Sequence, residues 1–551
     1  MKTNNILLLF AVIIVVYFCA VGVDVMDADA SQYAAMSREM KASGSYLKVF
    51  EQGKDYLDKP PFLFWVSSFS MTVFGENNFA FKLPSILFAI LALFATYRFT
   101  KLFYDKTVAV LAALVLASCQ AVFLITNDVR TDTILMSWVI VAIWQIAEWT
   151  QSKKIIHLLV GSAAIGFGML TKGPISLFVP IFAFGSHFIL QRNWGSLFKP
   201  AYLLSIVVIA VILVPMSIGL YQQFDLHPEK TVNGMKNVSG LKFFFWTQSF
   251  GRITGENVWN NHASFTFLFE NLLWGLLPWT LFFVSGLIND FIQIIRRKFR
   301  LTSKEEFITT GGFVVTYCSL AISKYQLPHY IYVVLPLIAV ITAKMLYILF
   351  WQQQLPLLKK IINPVQVLII TILLIAPLLI LIYSFTPTSI WPWLMPAATI
   401  VTVIILLSKK AITKKIFSIS IASIIGLNLL LSLWFYPNVL SYQSGSVVGR
   451  FIFEKNISSA HFYLYKEGDV GESIHFYSRQ IIKKADSAQS LKQGTFLLTT
   501  DKGLNELKKI NRTFEIQKQG VHYHVTLLTK VFLDKNARNL NGEKYYIVEL
   551  K

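Results

Sequence analysis

Cysteine is scarce: a chain of 551 residues holds three, Cys19, Cys119 and Cys318. All three fall inside apolar runs, so neither a disulfide framework nor a cysteine-based metal site is indicated. Charge is scarce as well. Asp, Glu, Lys and Arg make up only 15% of the residues, and acids are outnumbered 30 to 50, leaving a net charge of +20. That balance raises nucleic acid as a partner, but the Lys and Arg sit mainly between apolar runs and in the C-terminal tail, where membrane topology places them, so nucleic-acid binding is excluded. No clean small-x-small cleavage site follows the first apolar run, and Asp24 comes directly after it. The N-terminus therefore reads as a retained helix, not a cleaved signal peptide. Internal repeats and low-complexity tracts are also missing.

What is abundant is apolar surface: 55% hydrophobic residues, 45 Phe and a mean hydropathy of +0.55. Long apolar runs in that composition define an all-α polytopic membrane protein. Thirteen spans are expected, at about 6–23, 77–99, 108–126, 132–149, 155–171, 174–190, 201–220, 264–291, 307–322, 328–350, 362–384, 390–407 and 413–435. With the N-terminus inside, the inside loops carry Arg98, Lys101 and Lys106; Lys153 and Lys154; Arg192 and Lys199; Arg296, Arg297, Lys298 and Arg300; Lys359 and Lys360; and Lys409, Lys410, Lys414 and Lys415. Every one is basic, as the inside face requires. The opposite face receives the acidic first loop, 24–76, together with Asn127 to Thr131, Gln222 to Ala263, Ser323 to Leu327 and the C-terminus.

Residues 1–436 thus read as the membrane domain and 437–551 as a soluble domain, with a linker at Pro437 to Ser446. Alternating runs at Phe496-Leu-Leu-Thr-Thr, His522-Tyr-His-Val-Thr-Leu-Leu and Tyr545-Tyr-Ile-Val-Glu-Leu suit strands of a small α+β fold. The tail shows no catalytic motif.

Charge is densest from Val23 to Lys59, with Asp24, Asp27, Asp29, Arg38, Glu39, Asp58 and Lys59. Carboxylates this concentrated beside a membrane segment point to chemistry or ion handling at the membrane surface. From Asp27 to Met40 the spacing of Tyr33, Met36 and Met40 predicts an amphipathic helix that lies along the membrane. In the plainer reading Asp27 and Asp29 only cap its N-terminus. Tyr56-Leu-Asp-Lys-Pro-Pro-Phe-Leu-Phe-Trp65 then sets a charged pair before two prolines and an aromatic run entering the interface.

These residues carry a resemblance. Asp29 four before Tyr33, then Ala-x-Met-Ser-Arg-Glu-Met, Asp58-Lys59-Pro60-Pro61 and Phe74-Gly-Glu-Asn-Asn-Phe resemble the lipid A aminoarabinose transferases and their protein O-mannosyltransferase relatives, which are GT-C fold glycosyltransferases. Arg130-Thr-Asp132, Thr171-Lys-Gly-Pro174, the His262 loop ending in Leu277-Pro-Trp279 and Ser323-Lys-Tyr-Gln-Leu-Pro-His-Tyr330 continue it over roughly the first 340 residues.

The resemblance implies transfer of a sugar from a polyprenyl (undecaprenyl) phosphate donor to a lipid, such as lipid A, or a glycan, at the periplasmic face of a bacterial inner membrane. It places Asp29 as general base and Asp132 as the second acidic position. An acceptor hydroxyl loses a proton as it attacks the anomeric carbon, and a carboxylate in reach takes it. Direct attack inverts that centre. Relatives often have an acidic residue after the first-loop Asp; here it is Ala30, and Asp27 either compensates or caps the helix. Tyr33 and Tyr325, within the matching motifs, join the substrate-binding set. The departing phosphate needs cations near the outer interface, and Lys59, Lys172, Arg252 and Lys324 are on that face, though each also suits a residue snorkelling to headgroups. No cofactor is required. A divalent ion between Asp58 and His262 is one option, and a hydrogen-bonding loop histidine is the other. Trp246, Trp259, Trp274 and Trp279 suit a lipid groove or interfacial anchoring equally. The competing class is a flippase or transporter of lipid-linked sugar, which predicts charges at the bilayer midplane and paired broken helices; a membrane-anchored sensor whose active part is the tail is a third.

Overall fold

The computed structural model describes residues 3–232, 234–248, 251, 261–302, 305–408 and 415–551. The first part of the chain forms α1 (Thr3–Cys19), α2 (Asp29–Ser43), α3 (Phe62–Phe74), α4 (Asn78–Phe103), α5 (Lys106–Ser118), α6 (Gln120–Asn127), α7 (Thr131–Ser152), α8 (Ile155–Lys172), α9 (Ile175–Leu190) and α10 (Ala201–Leu220). Helices Phe267–Gly275, Thr280–Arg296, Ile308–Ala321, Leu335–Phe350, Pro356–Leu379, Trp391–Ser408 and Lys415–Leu430 complete the bundle.

Each of the thirteen expected stretches contains a helix. Among the described residues eight are long and apolar enough to cross a membrane, and α5 with α6, bent by 53°, makes a ninth. The chain is a multi-pass membrane protein. The 264–291 stretch is not one helix: it breaks at Leu277-Pro278-Trp279, where Pro278 withholds a backbone donor and Trp279 turns inward to donate to Ser118 Oγ at 2.9 Å. Burial sorts inner from outer helices. The apolar window of Pro328–Phe350 is 83% buried and that of α7 78%, whereas that of Pro356–Ser384 is 28%, so the last presents most of its surface to lipid. Inside the bundle, polar side chains pair across helices where no water is available, as Gln120 does with Asn428 through amide bonds of 2.9 and 3.1 Å.

Two expectations for the first loop are corrected. Residues 24–76 are not all loop, because Phe62–Phe74 forms the apolar helix α3 directly after the two prolines. Nor is α2 an amphipathic helix at the membrane surface. Ser31, Tyr33, Ala34, Met36, Ser37, Arg38 and Met40 are all buried: Tyr33 packs edge-to-face on Phe64 of α3, while Arg38 Nη1 donates to Arg479 O of the C-terminal part at 2.7 Å. Both sides of the helix are covered by protein.

Two hairpins, β1–β2 (Phe50–Glu51, Lys54–Asp55) and β3–β4 (Thr231–Val232, Met235–Lys236), flank this region. The C-terminal part holds β5 (Phe462–Leu464), β6 (Lys483–Lys484), β7 (Phe496–Thr500), β8 (Phe514–His522) and β9 (Glu543–Leu550) in the order β6-β5-β7-β9-β8. β5 runs parallel to β6 and β7, and β9 is antiparallel to β7 and β8. This is the small sheet domain expected of the tail, with one strand shifted: His522 ends β8, and 523–528 leaves the sheet. The supposed linker is ordered too. Helix Tyr436–Leu440 continues the last membrane helix, and Ser444, Gly445 and Ser446 are buried where the next helix begins.

Candidate active site

The chain between α1 and α2 is clasped by the C-terminal part. Asp24 accepts from Arg450 Nη1 and Nη2 at 2.8 and 2.5 Å. Burial favours the neutral acid, but the bidentate Arg450 contact outweighs it and holds the Asp24 carboxyl below its ordinary value. Asp27 accepts from Ser473 N and Ser473 Oγ at 3.0 Å and from Ser31 Oγ at 2.5 Å. Burial pushes the Asp27 carboxyl up to about 6 against those donors. Asp27 therefore faces the C-terminal part and lines neither of the cavities described next. Neither Asp27 nor Asp29 caps α2: Ala28 holds the N-cap position without a side-chain bond.

Asp29 points the other way. Its Oδ2 lies 2.5 Å from Arg130 Nη1, and Arg130 Nε donates to Asp128 Oδ2 at 2.7 Å. Burial disfavours the guanidinium charge, but the two carboxylates outweigh it and raise the Arg130 pKa. From α7 the buried Asp132 places Oδ1 2.5 Å from Lys172 Nζ at the end of α8, and Lys172 also sits 4.4 Å over the Tyr330 ring. His329 lies between the two pairs, with Nδ1 3.5 Å from Arg130 Nη1 and Nε2 3.8 Å from Asp132 Oδ2. Burial, then the Asp29 and Asp58 carboxylates, raise the Tyr33 hydroxyl pKa well above its ordinary value, so it remains a donor.

A cavity of about 230 Å³ is lined by Asp29, Tyr33, Asp58, Lys59, Asp132, Lys172 and Tyr325, all singled out from sequence. Helices α2, α7 and α8, the segment before α3 that carries Asp58 and Lys59, and the 323–330 segment bring them together from positions up to about 300 residues apart. Lys59 pairs with Asp58, whose Oδ1 accepts from Gln248 Nε2 at 2.7 Å. A second cavity, about 610 Å³, shares Asp29, Arg130, Tyr325 and His329 with the first and extends past Lys82, Trp274 and Tyr436 to Thr526 and Leu527 of the C-terminal part.

Other expected residues fall elsewhere. Lys324 is exposed and lines neither cavity; its carbonyl accepts from Asn261 N. Arg252 and Trp259 lie outside the described residues. Asp58 borders the smaller cavity, whereas His262 is exposed and borders neither; among the described residues no three of His, Cys, Asp and Glu are grouped to hold a metal. Trp279 is core, not groove. Sequence reasoning passed over Arg130 and His329, quoted only inside motifs, and missed Asp128 and Lys82. Lys82 carried a signal, since an ionisable residue in an apolar helix marks a functional position by default; its Nζ donates to Val23 O at 2.6 Å and Ala20 O at 3.1 Å.

Against known proteins, residues 58–218 match the family described as dolichyl-phosphate-mannose-protein mannosyltransferase. Undecaprenyl phosphate-alpha-4-amino-4-deoxy-L-arabinose arabinosyl transferases are similar: that of Edwardsiella ictaluri is 29% identical over 311 residues, covering 55% of this chain and 52% of the relative, and that of Enterobacter sp. 26% over 311 residues with the same coverage. The chain thus spans about half the length of these curated relatives. In structure it is similar to ArnT from Cupriavidus metallidurans in the apo state, with a TM-score of 0.73 at 16% identity over 99% of this chain and 98% of that one. The same protein bound to undecaprenyl phosphate gives 0.72 at 16% identity, over 100% and 98%. The oligosaccharyltransferase of Archaeoglobus fulgidus is more distant, with a TM-score of 0.52 at 12% identity over 89% and 65%. The architecture is the GT-C fold of glycosyltransferases. Within that class the fold is similar to that of ArnT.

Proposed function

We propose that this protein is an integral-membrane glycosyltransferase that moves a sugar from undecaprenyl phosphate, or a close polyprenyl equivalent, to a lipid acceptor of the lipid A type or a glycan. The observation that carries the reading is the single cavity in which Asp29, Tyr33, Lys59, Asp132, Lys172 and Tyr325 meet. The relatives' names, which specify an undecaprenyl phosphate sugar donor, support the same reading.

Asp29 serves as the base. Held against Arg130, its carboxylate accepts the acceptor's proton as the oxygen attacks the anomeric carbon. The glycosidic C–O bond forms as the bond to the donor phosphate oxygen breaks, inverting that carbon. The freed phosphate gains charge beside Lys59 and Lys172, and Asp132 holds the second of these in place. The domains divide as 1–436 and 437–551, with the N-terminus cytoplasmic, the C-terminal part periplasmic and the protein in the bacterial inner membrane.

The test supplies purified protein in bilayers with undecaprenyl-phosphate aminoarabinose and lipid A, read by mass spectrometry. A sugar-sized mass gain on the acceptor supports the reading. Unchanged acceptor, with the donor lipid instead crossing the bilayer, replaces it with the flippase.

A further inference from the structure

The stretch from His522 to Glu543 leaves the sheet and returns to it, and it is fixed to the ends of two membrane helices. Phe532, 1% exposed, packs with Phe385, just past the Pro356–Ser384 span, and with Phe435 and Val439 at the end of the Lys415–Leu440 span. Arg538 lies 3.8 Å over the Phe385 ring and donates to Ser384 O at 2.8 Å, while Lys535 Nζ donates to Thr386 Oγ1 at 3.2 Å. These contacts hold the stretch at the depth where the spans end. Trp391 and Trp434 meet edge-to-face at the same end, and Trp434 Nε1 donates to Phe385 O at 2.8 Å. Tryptophans at helix ends settle among lipid headgroups.

With Phe532 turned inward, Leu527, Leu528 and Val531 are left 66%, 44% and 45% exposed. On the Pro356–Ser384 span, Ile382, whose carbonyl accepts from Lys535 Nζ at 3.4 Å, and Tyr383 are 44% and 65% exposed. A single exposed leucine needs no explanation. Three large apolar side chains within one short turn, held beside a membrane helix and flanked by Lys530 and Lys535, form a surface suited to an anionic lipid interface. Thr529 stiffens the turn by accepting from Phe532 N at 3.2 Å. Leu527 also lines the larger cavity that reaches Asp29.

We propose that the Leu527–Val531 turn is seated in the lipid leaflet on the side of the C-terminal sheet, with its apolar side chains among the acyl chains and Lys530 and Lys535 at the headgroup phosphates. The larger cavity then opens sideways at headgroup depth, where the polar head of a membrane-borne acceptor enters while its chains stay in lipid. The seating stands on geometry alone; the acceptor's entry rests on the transferase reading.

The experiment places a bimane fluorophore on Leu528→Cys or Val531→Cys in the full chain with Cys19, Cys119 and Cys318 replaced by alanine. The protein is reconstituted in phosphatidylcholine and phosphatidylglycerol bilayers with and without brominated acyl chains. Leu368→Cys, on the lipid face of the span, and Lys508→Cys, exposed on the C-terminal part, are the references. The expected result is loss of most emission in brominated lipid at 528 and 531, as at 368, and no loss at 508. Emission at 528 and 531 that ignores bromine overturns the seating: if iodide quenches it, the turn lies in water, and if iodide does not, another protein surface covers it. Quenching is read without donor or acceptor, so a protein that quenches as expected yet transfers no sugar defeats the transferase reading and leaves the seating in place.

Discussion

Replacing both members of the Lys172–Asp132 ion pair should destabilise the protein by about as much as replacing Lys172 alone with methionine. The Asp132 side chain is only 2% exposed, with Oδ1 2.5 Å from the ammonium. His329 Nε2, 3.8 Å from the other oxygen, is too distant to substitute as a donor. Lys172→Met therefore strands a buried carboxylate, which costs ~3–5 kcal/mol. Asp132→Asn strands the ammonium instead, but that group is 15% exposed and rests on the Tyr330 ring, so the loss is smaller, ~1–3 kcal/mol. The double variant removes both charges and should fall well short of the sum, giving a coupling energy of ~2–3 kcal/mol. Thermal unfolding of the four proteins in one detergent, followed by tryptophan emission, measures the cycle. Additivity to within ~0.5 kcal/mol would show that the two side chains do not act as a unit and would refute the reasoning.

Asp27 gives a pH-dependent outcome. Its carboxyl is raised from 3.8 to about 6 in the folded protein, so the fold binds a proton that the unfolded chain has released. That contribution is complete below about pH 4 and is lost as pH rises through about 6. Asp27→Asn should flatten unfolding temperature against pH across that window, and an unchanged slope would show that another group sets it. Gly219→Ala would place a Cβ 2.1 Å from the Leu47 carbonyl oxygen. Backbone cannot yield as a flexible side chain can, so the chain at Leu47 must shift at a cost of ~1–3 kcal/mol; an unaltered melting temperature would contradict the close approach. Arg450→Ala removes the bidentate clasp on Asp24. With the guanidinium 40% exposed the loss is ~1 kcal/mol, and faster amide exchange across Val23 to Asp27 is the expected sign. Exchange identical to wild type would mean that the clasp does not hold this chain.

Much of the site was legible because its residues are polar in an apolar sequence. Asp29, Lys59, Asp132 and Lys172 stand out wherever they fall, and motif order supplied their common face. Partner choice was not legible. Asp27 and Asp29 are two residues apart, yet one carboxylate turns to Ser473 and the other to Arg130, a division set by a C-terminal part more than 400 residues away. The periodicity of α2 suggested one buried face, and the same distant segment covers the other. The alternation from His522 to Leu528 looked like a strand, but Val525 and Phe532 pack instead against Phe385, Phe435, Val439 and Leu440 at the membrane helix ends, and β8 ends at His522. Lys82 stood out as a charge in an apolar helix, but that helix is apolar on nearly every side, so no periodic signal told which way the lysine turns.

The most direct test of the account compares Asp29→Asn with wild type for sugar transfer from undecaprenyl-phosphate aminoarabinose to lipid A in bilayers. Asparagine keeps the shape and a hydrogen bond to Arg130 but takes no proton. The account predicts a rate lower by ~10²–10⁴-fold with an unfolding temperature close to wild type. A well-folded Asp29→Asn protein that transfers at the wild-type rate would contradict it, and the base would have to be sought elsewhere along the cavity.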